Sequence, residues 1–160
     1  MKEIVERLIK LNKTISTMES CTGGSLAGSI TNIPGASEVF KFGAVTYSNE
    51  YKIKMGVSKE TLEMYSVYSI NIANEMSKNI SEFANSDYGV GITGKLNKSD
   101  INNMSGEDNV VYVSIYDRKM DCYYNDVVTV LYEKREENKQ YVIDKVIELL
   151  GGILWEYIIH

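Results

Sequence analysis

The stretch Met18-Glu19-Ser20-Cys21-Thr22-Gly23-Gly24-Ser25 constrains this chain more than any other. It follows a short run of β character, Thr14 to Thr17, and leads into Leu26-Ala27-Gly28-Ser29-Ile30, whose apolar positions 26, 27 and 30 have helical spacing. A strand that passes into a helix through a glycine pair brings backbone N–H groups together at the strand end, where the helix dipole favours an anion or a developing oxyanion. Ser20 and Thr22 are therefore candidate nucleophiles or phosphate ligands. Helix capping and close packing are the commoner uses of such a turn. Cys21 admits two readings, a thiol nucleophile activated at a helix N-terminus or, more commonly for a free cysteine, a small buried side chain.

Around this turn the chain alternates helical and strand patterns. A helix over about residues 2 to 12 carries Val5, Leu8 and Ile9 on one face, and the helix after Gly24 stops near Pro34, the only proline. A loop, 36–42, precedes a second strand from Gly43 to Ser48. A short helix runs from Asn49 to Gly56, another starts at Ser58, and a longer one begins at Ser69 with Ile72, Met76, Ile80 and Phe83 on one stripe. Tyr88 to Gly94 reads as a central strand whose glycines permit close backbone approach. The polar, patternless segment 95–109 is expected to be a functional or mobile loop. Val110–Tyr116 and about Asp121–Tyr132 form a hairpin. A last helix from Lys134 to Leu150 is expected to end at Gly151-Gly152, with the apolar tail 153–160 docking on its own domain or on a second subunit. The order predicts one domain over 1–160, a three-layer α/β/α architecture with a mixed central sheet.

Several function classes are disfavoured. No apolar run is long enough to span a bilayer and the N-terminus lacks a signal-peptide pattern, so the expectation is a cytoplasmic protein with no membrane partner. A net charge of −5 offers no basic footprint for nucleic acid. Two cysteines, Cys21 and Cys122, make neither a disulfide scaffold nor a four-cysteine zinc site. The sole histidine is His160, the last residue, which argues against a Ser-His-Asp triad, a Cys-His pair or a histidine metal site. Acid–base chemistry must then fall to lysine, tyrosine or carboxylates, and no metal or cofactor is expected.

Two Thr-Gly turns, Thr22-Gly23 and Thr93-Gly94, suit a crevice at the strand ends of an open α/β sheet. Between them lie Tyr47 and Lys52. Lysine can deprotonate a serine once its environment lowers its affinity for protons, and Tyr47 would relay the proton or orient that base. The turn is neither a Walker loop nor a dinucleotide-binding fingerprint.

Together, Glu19-Ser20-Cys21-Thr22-Gly23-Gly24, Pro34-Gly35-Ala36-Ser37 with Phe40, Gly43 to Asn49 with Lys52, Gly56-Val57, Thr93-Gly94, and the basic positions Arg135 and Lys139 resemble the C-terminal domain of the CinA family, which also occurs alone as nicotinamide-nucleotide amidase. The resemblance implies hydrolysis of nicotinamide mononucleotide to nicotinate mononucleotide and ammonia, without a metal. By resemblance Ser20 is the nucleophile, Lys52 and Tyr47 handle protons, and Arg135 contacts substrate, with Thr22, Gly23, Gly24, Thr93 and Gly94 lining the site. The acyl oxyanion would face the Gly23-Gly24 N–H groups, and the phosphate would sit at the same helix N-terminus or against Arg135, Lys139 or Lys95. Family members often form dimers, so a homodimer is the expected assembly, and the chain reads as the stand-alone form. After Gly94 the family continues with a Gly-Pro-rich loop, whereas this chain has Lys95-Leu96-Asn97-Lys98-Ser99-Asp100. That departure keeps two alternatives in view: a noncatalytic nucleotide-binding module, and a serine amidase for another small amide.

Overall fold

Five strands make one mixed sheet in the order β2-β1-β3-β4-β5, with β1 spanning Ile15–Glu19, β2 Phe40–Val45, β3 Tyr88–Gly94, β4 Val110–Asp117 and β5 Cys122–Thr129. The computed structural model describes residues 1–97 and 107–156. β1 pairs in parallel with β2 and β3, while β3–β4 and β4–β5 are antiparallel. Every residue of β1 is buried, as expected of a strand with neighbours on both sides and helices on both faces.

One face carries α1 (Lys2–Leu11), α2 (Ser25–Thr31) and α6 (Arg135–Glu156), which bury Val5, Leu8, Leu26, Val142, Val146 and Leu150 against the sheet in the larger core cluster. The other face carries α3 (Asn49–Lys54), α4 (Lys59–Tyr65) and α5 (Ile70–Ala84), and a smaller cluster joins Met18 to Val57, Ile72, Met76 and Ile80. The architecture is the three-layer one expected. α5 lies directly on β3, because a Cβ at Gly89 or Gly91 would collide with the backbone of Ser77 or Ala73. Ser48, Ser58 and Ser69 cap α3, α4 and α5, each accepting the N–H three residues on.

Four details differ from expectation. β2 starts at Phe40 rather than Gly43 and ends at Val45, because Ser48 is already committed to capping α3. A 3-10 turn, Ala36–Glu38, occupies part of the expected loop. Phe83 is 66% exposed and pairs with Phe42 at 5.1 Å instead of joining the buried stripe. Most consequentially, α6 does not stop at Gly151-Gly152 but runs through both to Glu156. Ile153 and Leu154 extend the Val142, Val146, Leu150 stripe and are buried, and their burial outweighs the poor helix propensity of the glycines. Residues 153–156 are thus the last turn of a helix, and His160 and the rest of the expected tail lie outside the described residues. Much of the expected 95–109 loop also lies outside them. Among the described residues no helix is long and apolar enough to cross a membrane.

The register of β1 against β3 is fixed at its start by Asp87. Its carboxylate accepts from Thr14 N–H at 2.8 Å, the Thr14 hydroxyl at 3.1 Å and Lys13 Nζ at 3.3 Å. Burial alone would raise this carboxyl, but the bonds from Thr14 and Lys13 prevail and hold it below its ordinary value. A carboxylate depressed in the folded state stabilises above its unfolded pKa of about 3.9, and the contribution is lost as the pH falls through the folded value.

Asp87→Asn is expected to lower Tm at about pH 7, with the gap from the parent closing in acid at about pH 2; equal melts at neutral pH would contradict the assignment. A Cβ at Gly152 would meet nothing within 4 Å, so Gly152→Ala is expected to raise stability by about 0.5–1 kcal/mol in urea titrations.

Candidate active site

Ser20 follows directly on β1. Its N–H donates to Ile92 O and the Thr46 N–H donates to Glu19 O, both at 2.9 Å, so strand pairing continues one residue past β1 and lays Ser20 between Thr46 and Thr93. Side chains alternate along a strand, so Ser20 shares the α5 face with Met18. Lys52 reaches the same point from α3. Its Nζ donates to Ser20 Oγ at 2.9 Å and to Thr46 O at 2.7 Å. Only 2% of Lys52 and 8% of Ser20 are exposed. The two residues are 32 apart in sequence, and the fold delivers the serine–amine contact expected of them.

Glu19 points to the opposite face, into the turn. Its Oε1 accepts from the Thr22 hydroxyl at 2.7 Å and Leu26 N–H at 2.8 Å, and its Oε2 accepts from Ala27 N–H at 3.1 Å. These are early N–H groups of α2, the ones an incoming anion would use. The first N–H groups of α2 are therefore filled by the chain's own carboxylate, which leaves the cations Arg135, Lys139 and Lys95 of the alternatives considered for a phosphate. Thr22 is fully buried, and its hydroxyl donates to Glu19. Gly23 and Gly24 take φ values of +60° and +99°, which only glycine adopts readily, and shape the turn. The Gly23 N–H, expected to face an oxyanion, is spent on Ser20 O at 3.0 Å.

The other expected residues divide between building the site and lining its mouth. The buried Thr93 donates its hydroxyl to Val67 O at 3.0 Å, pinning the turn before α5. A Cβ on Gly94 would collide with the backbone of Val110 and Val111, so this glycine lets β4 come close. Tyr47 is 64% exposed, and its hydroxyl accepts from Arg135 Nη2 at 3.4 Å. The Thr46 carbonyl accepts from Lys52, while the hydroxyl of its neighbour Tyr47 accepts from Arg135. Lys139, one helical turn after Arg135, brings its Nζ to 3.4 Å from where a Gly23 Cβ would stand. Two cations thus overhang the Ser20 turn.

Three contributors went unrecognised in the sequence. Glu19 carries the turn, the Thr46 carbonyl holds the lysine, and Asn138 anchors α6. Asn138 accepts from Tyr132 N–H at 2.9 Å and donates to Leu96 O at 2.5 Å and Tyr132 O at 2.8 Å, which fixes where Arg135 and Lys139 stand. An acidic residue closing a strand seven positions before the first turn of a helix was the available signal for Glu19. Among the described residues no group of His, Cys, Asp and Glu is arranged to hold a metal ion.

The model of the CinA C-terminal domain matches residues 1–154. The chain belongs to the CinA C-terminal domain family. A competence-damage inducible protein of Thermoanaerobacter sp. strain X514 is 49% identical over 96 residues, which is 59% of this chain and 23% of the relative. One from Clostridium acetobutylicum is 54% identical over 88 residues, 54% of this chain and 21% of the relative. In these matches the aligned part of the chain spans less than a quarter of the relatives' length. The crystal structure of a CinA superfamily protein from Klebsiella pneumoniae superposes with a TM-score of 0.86 at 25% identity, over 97% of this chain and 95% of that one. A competence/damage inducible protein from Agrobacterium tumefaciens gives 0.81 at 28% identity, over 94% and 93%.

Cys21, beside Ser20, is buried, and that burial pushes its thiol up to about 12, against the opposing pull of Lys52 and Arg135. Below that value the sulfur keeps its proton, so in this CinA domain it is no nucleophile at neutral pH. Cys21→Ala is expected to retain any Ser20-dependent activity within a few-fold, and iodoacetamide at about pH 8 to leave the native Cys21 unmodified. Rapid alkylation with loss of activity would overturn this.

Proposed function

We propose that this CinA domain is an amidohydrolase that converts nicotinamide mononucleotide to nicotinate mononucleotide and ammonia through Ser20. The observation that carries the reading is the buried contact of 2.9 Å between Lys52 Nζ and Ser20 Oγ. A lysine beside a serine in a desolvated site, oriented by a carbonyl that only accepts, is the arrangement serine acyl transfer needs when no imidazole is at hand. Burial disfavours the charged form of an amine, and the neutral form is the one that takes a proton.

In the proposed sequence Lys52 accepts the Ser20 hydroxyl proton as Oγ attacks the carboxamide carbon. The tetrahedral adduct collapses as the C–N bond breaks, and Lys52 returns the proton to the departing nitrogen, which leaves as ammonia. Water then attacks the nicotinoyl ester on Ser20, giving its proton to Lys52. The ester C–O bond breaks, the proton passes to Ser20 Oγ, and nicotinate mononucleotide departs. Tyr47 and Arg135, in contact at the mouth, meet the substrate as it enters rather than moving the proton.

Incubation of the pure protein with nicotinamide mononucleotide should release ammonia. Ser20→Ala is expected to abolish release, and Lys52→Met to lower kcat by about 10²–10⁴-fold, the range of a lost general base. Tyr47→Phe should change KM more than kcat. Tight binding of the nucleotide without ammonia release would favour the noncatalytic module, and neither binding nor release would favour an amidase for another amide.

A further inference from the structure

Lys95 is the first residue past β3. Its N–H donates to Val110 O at 3.0 Å, so pairing with β4 continues, and side-chain alternation keeps Lys95 on the same face as Thr93 and Ser20. Two contacts bear this out: the Thr93 hydroxyl meets the carbonyl of Val67, and the Lys95 ammonium lies over the ring of the next residue, Tyr68, at 4.8 Å from its centre. The Lys95 side chain is 1% exposed, yet its Nζ has no hydrogen-bond acceptor. The carboxylate of Asp108 stands at 3.7 Å, beyond hydrogen-bond reach, and its own side chain is 55% exposed.

A buried ammonium carries three donors, and leaving them unfilled away from water is costly. Such a group is completed by an oxyanion. Of the places the sequence offers for a phosphate, the N-terminus of α2 is occupied by Glu19, Arg135 is exposed at the mouth with Tyr47 as a partner, and Lys139 is only part-buried above the Gly23 turn, on the far side of the sheet from Ser20. Lys95 has unfilled donors in a dry environment. From Ser20 the path runs one strand sideways to Thr93 and two residues along β3, about 8 Å between backbones by standard strand spacings. A ribose phosphate attached to a reacting ring amide bridges a span of that kind.

We propose that Lys95 is a specificity-determining residue that binds the phosphate monoester of the substrate, with Asp108 swinging outward as the phosphate arrives. The proposal rests on the reading of Ser20 as the nucleophile toward a nucleotide amide. It also gives the unusual segment after Gly94 a function: a lysine side chain at the base of that segment contributes the charge.

The test uses the full chain carrying Ser20→Ala, so that binding is measured without turnover, and titrates ribose 5-phosphate and ribose by calorimetry with and without Lys95→Met. Ribose 5-phosphate affinity is expected to fall about 10- to 100-fold in Lys95→Met, the loss of a hydrogen bond to a charged group, with ribose unaffected. The melting temperature of ligand-free Lys95→Met should lie close to that of its parent, since the change removes a long ion pair to the exposed Asp108 together with the desolvation cost of a buried ammonium that no hydrogen bond offsets. Should Lys95→Met fail to fold, Lys95→Gln serves in its place. Unchanged ribose 5-phosphate affinity, or a loss seen in Arg135→Ala instead, would overturn the proposal. The parent enzyme separates the two readings: ammonia release with a KM indifferent to Lys95→Met sinks this assignment alone, while Lys95-dependent phosphate binding without ammonia release sinks only the amidase reading.

Discussion

The carboxylate of Glu19 is the constraint on which the rest of the site depends. It stands 1% exposed between the end of β1 and the start of α2, and its bonds from Thr22, Leu26 and Ala27 replace the water it has lost. Hydrogen bonds to a charged group contribute about 1.5–3 kcal/mol each, enough in combination to offset much of the desolvation of one carboxylate. The negative charge also lies at the positive end of the α2 dipole. The turn is therefore closed by internal groups, and Ser20, one residue from Glu19, has its backbone fixed on both sides. A turn of this shape elsewhere invites an external anion. Here the invitation is already answered by the chain's own carboxylate.

Placing Glu19 on one face and Ser20 on the other divides the crevice into two working sides. On the α5 side lie Lys52 against Ser20 and Lys95 past Thr93, both buried. On the α6 side Arg135 and Lys139 overhang the turn, held there by Asn138. Three cations, Lys95, Arg135 and Lys139, thus surround the strand ends beside the Lys52 amine in a chain whose net charge is −5. Net charge governs long-range behaviour, while the potential in a cleft follows from the few groups that line it.

Legibility in the sequence followed the range of the interaction. The strand–turn–helix at 15–31 and the serine caps at 58 and 69 are encoded within a few residues and are readable, whereas Ser48 reads as the end of a strand until its bond to Tyr51 N–H is seen. The pairing of Ser20 with Lys52 was approached by the scarcity of histidine and reached by resemblance, because nothing local links positions 20 and 52. The exposure of Tyr47 is set at long range: pairing of Thr46 with β1 puts the Thr46 side chain on the Ser20 face, and alternation turns Tyr47 toward Arg135. Gly151-Gly152 resembled a helix end by composition, yet Ile153 and Leu154 had a core to enter. Glu19 was passed over because a carboxylate in a buried strand makes sense only when a helix N-terminus is known to lie beside it.

The absence of an imidazole from the pair need not limit it to one half of an acyl transfer. The Thr46 carbonyl can only accept, so it fixes one N–H of Lys52 and thereby orients the nitrogen. When the amine is neutral, its lone pair can face the Ser20 hydroxyl and receive its proton. When it is an ammonium, the same direction carries an N–H toward whatever has replaced that proton, a leaving nitrogen or the ester oxygen. Both states use the same heavy-atom positions, so little rearrangement of the amine separates base from acid. Acid–base duty of this sort asks of the fold a rigid carbonyl and a buried approach, and β2 continuing to Thr46 and α3 capped at Ser48 provide them.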